Sequence, residues 1–425
     1  MKILWIALQA LPAVSRDMDP SAPIYPIGGW IDGMASALSS NPEISLGFCF
    51  PDPRYPVNGS VDGIRYYSVR RIPDFSDFMR EDLSRLEEIL DAFQPDLIQV
   101  FGTEYTHQTE WIRMLVSLGW ADRLAVWIQG LVSVYALHFQ ADLPNQVLQG
   151  TTLKEMIRGS NLSAMHRNMV MRGLGEEEAL RSLKHVFVRT SWDSSCCLAV
   201  NPDLKLHFCN ETLRSNFYHP PVWSLSGAVP HRIFVSASNY PIKGFHQLIE
   251  ALPHIRRRYP DTSVVSTGED FVHSHSLPSR IRISSYQKYM LSRIRLHHLE
   301  DCISFSGTLS SEQMQQAYCG AHVFASPSSI ENSSNSIGEA MLLGVPCVAS
   351  DVGGTSDLLC TGTEGILYPF SDPEALANAV LKIFDSDELA ISFSEAEKKR
   401  AGQTHNPARN LEILLQEYTE LIRGS

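Results

Sequence analysis

Short apolar runs alternate with stretches of helical periodicity along the chain. Residues 2–8, 44–50, 64–69, 96–101, 124–128, 185–188 and 204–208 read as strands. Between them, residues 75–93 place Phe78, Leu83, Leu86, Ile89 and Leu90 near helical spacing. The rhythm stops at residues 219–230, where prolines and a glycine predict a linker. It then restarts, with strands at 232–236, 262–266, 302–305, 322–325, 346–349 and 365–368. Helices are predicted at 245–259, 280–298, 311–321 and 337–343, and three more helical stretches close the chain, the last at 410–422.

Alternation of this kind implies parallel sheets with helices on both faces. The prediction is therefore two doubly wound α/β domains. Residues 1–218 form the first, 231–405 the second, and the helix within 406–425 crosses back to the first. Ligands of such folds bind at the carboxyl ends of the strands, so the cleft between the domains is the expected site. Residues 131–178 fit neither rhythm and are expected to be a helical insert of the first domain. They suit a satellite core, an acceptor lid or a patch against lipid.

A length of 425 residues accommodates two ordinary cores. Lys and Arg number 35 against 47 Asp and Glu, a net charge of −12, which argues against nucleic-acid binding. The longest apolar runs fall far short of the roughly 20 residues needed to span a bilayer. Residues 1–14 are read as a buried first strand rather than a signal peptide. Eight cysteines without CxxC spacing suggest reduced core residues and a cytoplasmic location. His273, His275, His297 and His298 lack companion ligands at zinc spacing, so no metal site is expected.

Most of the candidate chemistry lies between Pro327 and Pro346. Glu331 and Glu339 are separated by seven residues, with Ser and Asn between them at the start of a helix. A helix N-terminus binds anions through free N–H groups, and a carboxylate within the helix can accept from vicinal hydroxyls. On spacing alone, an ordinary capped helix explains the pattern equally well.

The pair E-x7-E followed by A-M-x-x-G-x-P resembles the nucleotide-sugar signature of glycosyltransferase family 4, retaining enzymes of the GT-B fold. The resemblance runs along the chain. It takes in Gly28-Gly29, the segment from Asn239 to Gly244, Phe305-Ser-Gly307 and Val352-Gly353-Gly354. Segments such as FGTEYTH and FCNETLRSNFY resemble a bacterial branch that assembles surface polysaccharide. The resemblance implies two Rossmann-like domains facing an interdomain cleft and transfer of a hexose from a nucleoside diphosphate sugar, UDP-sugar favoured. The acceptor would be a glycan or lipid-linked hydroxyl, with no further cofactor and no catalytic metal. A cytoplasmic enzyme, alternatively peripheral at the inner membrane face, is the expected setting.

Carried over by position, Glu331 faces the donor hexose, Glu339 the ribose, and Lys243 the leaving diphosphate. Gly28, Gly29, Gly307 and the segment Asn335, Ser336, Ile337 approach the donor. Glu104 and His107, after a buried strand of the first domain, are candidates for acceptor contact or proton handling. Arg189, Thr190 and Asp193, at another strand end, either bind acceptor or phosphate or cap the helix that follows. Asn210 and Glu211 are read either as a strand-end turn or as part of the cleft wall. Two positions depart from the family pattern. Ser238 stands where many members carry a second diphosphate-binding arginine, and Gln129 where many carry a histidine. Glutamine can hydrogen-bond a hydroxyl but cannot exchange a proton. These departures keep open a silent GT-B scaffold, beside an epimerase or hydrolase of the same fold.

Overall fold

The computed structural model describes residues 1–21, 29–71, 79–273 and 283–424. Predicted features at Gly28, Phe75, Phe78 and His275 lie outside the described residues. The chain divides into two compact units. The first comprises Met1–Ser133, Met171–Arg214 and His405–Ser425, and the second Val134–Val170 and Ser215–Thr404.

The first unit holds an eight-stranded sheet. Its strands are β1 (Lys2–Ile6), β2 (Ser45–Pro51), β3 (Asn58–Val61), β4 (Ile64–Val69), β5 (Leu97–Phe101), β6 (Leu124–Trp127), β7 (His185–Val188) and β8 (Lys205–Phe208). Their order is β3-β4-β2-β1-β5-β6-β7-β8. Pairing is parallel except between β3 and β4. That hairpin was absent from the sequence prediction. It turns at Asp62 and Gly63, both at positive φ (50° and 78°), as a two-residue Asp-Gly turn requires.

Strands β1, β5 and β6 are buried along their whole length or nearly so, which is why they read as continuous apolar runs. The last helix, Pro407–Arg423, belongs to this unit. Leu414, Tyr418 and Leu421 share its core, and Trp5 Nε1 donates to the Tyr418 hydroxyl at 3.0 Å.

The second unit holds a parallel sheet of β9 (Arg232–Val235), β10 (Ser263–Ser266), β11 (Ile303–Phe305), β12 (Val323–Ser326), β13 (Cys347–Ser350) and β14 (Gly365–Tyr368), ordered β11-β10-β9-β12-β13-β14. Helix Phe245–Arg258 covers it with Phe245, Leu248, Ile249, Leu252 and Ile255, buried at helical spacing.

Two predicted placements need correction. Residues 219–230 are not a free linker: Trp223 is buried in the second unit, its backbone N–H donating to Leu343 O at 2.9 Å and its indole to Ala321 O at 2.8 Å. Residues 134–170, expected as part of an insert of the first domain, group with the second unit. Buried polar groups hold them there. Glu155 accepts from Ser285 N at 2.8 Å, and Ser329 Oγ donates to His138 O at 2.9 Å.

His246 makes a further tie. Its Nε2 lies 2.8 Å from Ala141 O and its Nδ1 2.9 Å from the Tyr286 hydroxyl. A neutral ring satisfies both, donating from Nε2 and accepting at Nδ1. Burial holds its pKa down to about 4 from an ordinary 6.5. Below 6.5 the unfolded chain takes up a proton that the folded ring refuses until about 4. Stability present above 6.5 is therefore lost as pH falls through that window. The expected loss from this ring is about 2 kcal/mol at pH 5. Urea unfolding at pH 7 and pH 5 checks it: in His246→Asn the difference between the two should shrink by about that amount.

Candidate active site

In the second unit the chain leaves β9 towards β10 and later returns to β12 on the other side of β9. Connections diverge at this point and leave a crevice at the carboxyl ends of the two strands. A narrow cleft there is lined by Ala237, Lys243, Ser326, Ser328, Glu331 and Ser334 among others. Lys243 Nζ lies 2.6 Å from Glu331 Oε1, and the Ser328 hydroxyl donates to the same oxygen at 2.7 Å. Glu331 is buried, whereas the Lys243 side chain is 37% exposed, so the cation faces the opening.

Two glycines clamp the loop that carries Glu331. Gly244 has φ +66°, and a Cβ there would lie 1.6 Å from Pro327 O. Gly353 has φ +53°, and a Cβ there would lie 1.9 Å from Glu331 O, the carbonyl that accepts from Gly354 N at 3.0 Å. Neither position admits a side chain. The loop then enters helix Asn335–Leu343. Ser334 caps it without a side-chain hydrogen bond, which leaves first-turn N–H groups unclaimed by a cap. Ser336 lines the cleft, and Ile337 and Glu339 are buried in the same helix. The Asn335 Oδ1 is buried without a hydrogen-bond partner.

Other predicted donor residues stand differently. Gly307 has φ +73°, but its N–H is committed to Gly268 O at 3.1 Å. Gly29 begins helix Gly29–Ser39 in the first unit. Ser238 is buried, and its hydroxyl donates to Thr267 O at 3.1 Å, so this position supplies no charge.

The first unit has an equivalent crevice where β1 lies between β2 and β5. A cavity of about 280 Å³ opens there, walled by the residues after β1, by Trp30 and Ile31, and by Glu104, Tyr105 and Gln129 after β5 and β6. Glu104 Oε2 accepts from Thr103 N at 2.9 Å. Burial raises the Glu104 pKa, opposed by backbone N–H groups and by Arg189.

His107 is not among the lining residues. It is buried with Nε2 3.2 Å from Arg70 O and its ring edge-on to Trp111. Nor is Arg189. Its guanidinium pairs with Glu211 at 2.8 Å, both side chains at most 2% exposed, and it donates to Gln129 O at 2.7 Å. Thr190 and Asp193 form the capping box of helix Ser191–Val200.

Glu176 was missed by sequence reading. Its carboxylate accepts from Thr103 Oγ1 at 2.6 Å, Val132 N at 3.1 Å and Ser133 N at 2.8 Å. It thereby fixes the loops after β5 and β6 that carry Glu104 and Gln129. Burial, reinforced by Glu104, pushes its pKa up to about 7. No periodicity marks such a residue, because its partners come from two distant loops. Among the described residues, no group of three or more His, Cys, Asp or Glu is placed to hold a metal ion.

Residues 229–400 match the family model of glycosyl transferases group 1. Glycogen synthase of Mycobacterium tuberculosis is 27% identical over 158 residues, 37% of this chain and 35% of that protein. The chain thus spans about a third of the length of this curated relative. Sucrose-phosphate synthase of Thermosynechococcus elongatus has a similar structure, with a TM-score of 0.70 at 17% identity over 100% of both chains. Anabaena Alr3699/HepE in complex with UDP superposes with a TM-score of 0.66 at 15% identity, over 99% of this chain and 100% of that one. The protein has the GT-B fold, and its residues 229–400 are similar to the glycosyl transferases of group 1.

Proposed function

We propose that the chain is a retaining hexosyltransferase that moves a sugar from a nucleoside diphosphate, UDP favoured, to a glycan or lipid-linked hydroxyl in surface-polysaccharide assembly. The observation that carries this reading is the Lys243–Glu331 pair at the mouth of the β9/β12 crevice, beside the N-terminus of helix Asn335–Leu343. The diphosphate sits on the N–H groups of Asn335, Ser336 and Ile337 and on Lys243, without a metal ion. Glu339 takes the ribose hydroxyls, and Glu331 faces the hexose. Gly28 and Gly29 are further donor-binding candidates on the strength of the family resemblance alone. A UDP donor is favoured because a structural neighbour of the same fold holds UDP.

The acceptor oxygen bonds to the anomeric carbon as the bond from that carbon to the diphosphate oxygen breaks, on the same face. The acceptor proton passes to the departing diphosphate oxygen, so Gln129 need not act as a base. In this scheme Gln129 and Glu104 orient the acceptor hydroxyl, while His107 and Arg189 shape the wall behind them.

A lipid-linked acceptor would bring the chain to the cytoplasmic membrane face. Leu153, Met156 and Ile157 are 48%, 66% and 77% exposed on one short helix that also carries Lys154 and Arg158, a composition suited to anionic lipid. Cosedimentation with anionic vesicles checks this association, and a chain left in the supernatant removes it. A silent scaffold is the second reading, favoured by Ser238, which supplies no second cation.

A thermal-shift comparison of UDP, GDP and ADP tests the proposal. At a hundred times its dissociation constant, the true nucleotide should add about 2.7 kcal/mol of stability. That gain should vanish in Glu339→Ala. No shift with any nucleotide at millimolar concentration overturns the donor-site reading and leaves the scaffold.

A further inference from the structure

The two crevices of this chain have opposite electrostatic character. The β9/β12 crevice presents a lysine and a helix N-terminus, the equipment for a diphosphate. The cavity between β1 and β5 presents no Lys, Arg or His among the described residues that line it. We propose that this cavity binds an uncharged saccharide ring, stacked on Trp30 and Tyr105, and rejects phosphorylated sugars. The proposal rests on the transferase reading above and names the acceptor class for it.

Three features support it. The first is the aromatic wall. Trp30 packs edge-on against Phe101 at 5.5 Å between ring centroids and lies tilted against Trp127 at 6.2 Å, so its indole is held by neighbours rather than left to rotate. Tyr105 is 45% exposed, and the Arg172 guanidinium lies 4.6 Å over its ring. Rigid aromatic faces bury the apolar C–H face of a pyranose at small entropic cost.

The second feature is the polar set, Gln9, Gln129 and Glu104. Amides both donate and accept, and a carboxylate accepts, which matches hydroxyls. Gln108 also lines the cavity, but its amide is spent on Tyr105 N and Phe101 O and serves to shape the loop. Glu104 is anchored by Thr103 N and is not free to swing away.

The third feature is charge. A phosphate in this cavity would face the Glu104 carboxylate. Of the nearby cations, Arg189 is engaged with Glu211 and Gln129 O, and Arg172 packs over the Tyr105 ring without itself lining the cavity. Like charges brought together in a half-open cavity still select against the wrong ligand. The volume of about 280 Å³ suits one ring rather than an extended oligosaccharide.

Saturation-transfer NMR on the full chain tests the inference, using methyl pyranosides and their 6-phosphates, each with and without UDP. A neutral ring should receive transfer and lose it in Tyr105→Ala, a half-exposed site whose change leaves the core intact, and in Trp30→Ala. The UDP signal should persist in both variants. The matched 6-phosphate should bind on the order of a hundredfold more weakly. Phosphates that bind as well as, or better than, neutral rings overturn the inference while UDP binding keeps the donor site. No neutral ring bound at any concentration also overturns it. A chain that binds neutral rings through Tyr105 but never UDP sinks the donor reading and leaves the cavity assignment standing.

Discussion

Lys243→Ala is expected to lower kcat by about a hundred- to a thousandfold, the usual effect of removing one preorganised group aimed at charge that develops in the transition state. In the proposed transfer the leaving diphosphate gains negative charge as its bond to the sugar breaks, and Ser238 offers no second cation to share the load. The ground-state loss should be smaller, because the helix N–H groups remain, so kcat should fall more than KM for the donor rises. Lys243→Arg keeps the charge but changes its shape and should retain part of the rate. Lys243→Ala also leaves the buried Glu331 carboxylate with its Ser328 hydrogen bond but without its cation, so urea unfolding of the variant is needed to separate a rate loss from a stability loss. Steady-state kinetics with the nucleotide sugar identified by thermal shift provide the measurement. A variant within threefold of the parent in kcat would remove Lys243 from the chemistry.

Arg189→Met is expected to destabilise the first unit by about 3–5 kcal/mol, the largest stability effect expected from a single change here. Arg189 and Glu211 follow adjacent parallel strands, β7 and β8, and meet at the carboxyl edge of the sheet with at most 2% of either side chain exposed. Removing the cation leaves a buried carboxylate without its counter-charge, which is far worse than removing both. The double change Arg189→Met with Glu211→Leu should therefore recover most of the loss. Urea unfolding followed by circular dichroism reads both. A single-variant loss below about 1 kcal/mol would mean that the pair is solvated in solution. Because Arg189 also holds the Gln129 carbonyl, the double variant should bind acceptor more weakly even where its stability returns.

The buried ion pair shows where sequence reading stopped. Arg189 stood at a strand end and read equally as a ligand contact or as part of a cap. Its partner lies 22 positions along, at the end of the next strand, and pairing became visible only once β7 and β8 were known neighbours. Glu176 is a similar case, since its four hydrogen bonds reach loops after two different strands. The β3–β4 hairpin was also missed, although it left one local signal. Asp62-Gly63 is a turn signal, but β3 alternates between exposed and half-buried residues and lacks the apolar run that marked its neighbours.

Local patterns settled a good deal without any coordinates. Thirteen of the fourteen strands among the described residues coincide with apolar runs in the sequence, most plainly β1, β5 and β6, because a strand buried on both faces must be apolar throughout. The glutamate pair and Lys243 likewise stand out, because the family resemblance rests on their spacing and context in the sequence. Tertiary structure alone decided the rest. It assigned residues 134–170 to the second unit through the His246 and Glu155 contacts, and it turned residues 219–230 from a linker into a packed segment through Trp223. It also committed the Gly307 N–H to Gly268 and buried His107 behind the cavity wall. Each of these depends on partners far away in sequence. Periodicity reports which face of an element is buried, and it carries no information about which distant group will satisfy a polar atom there.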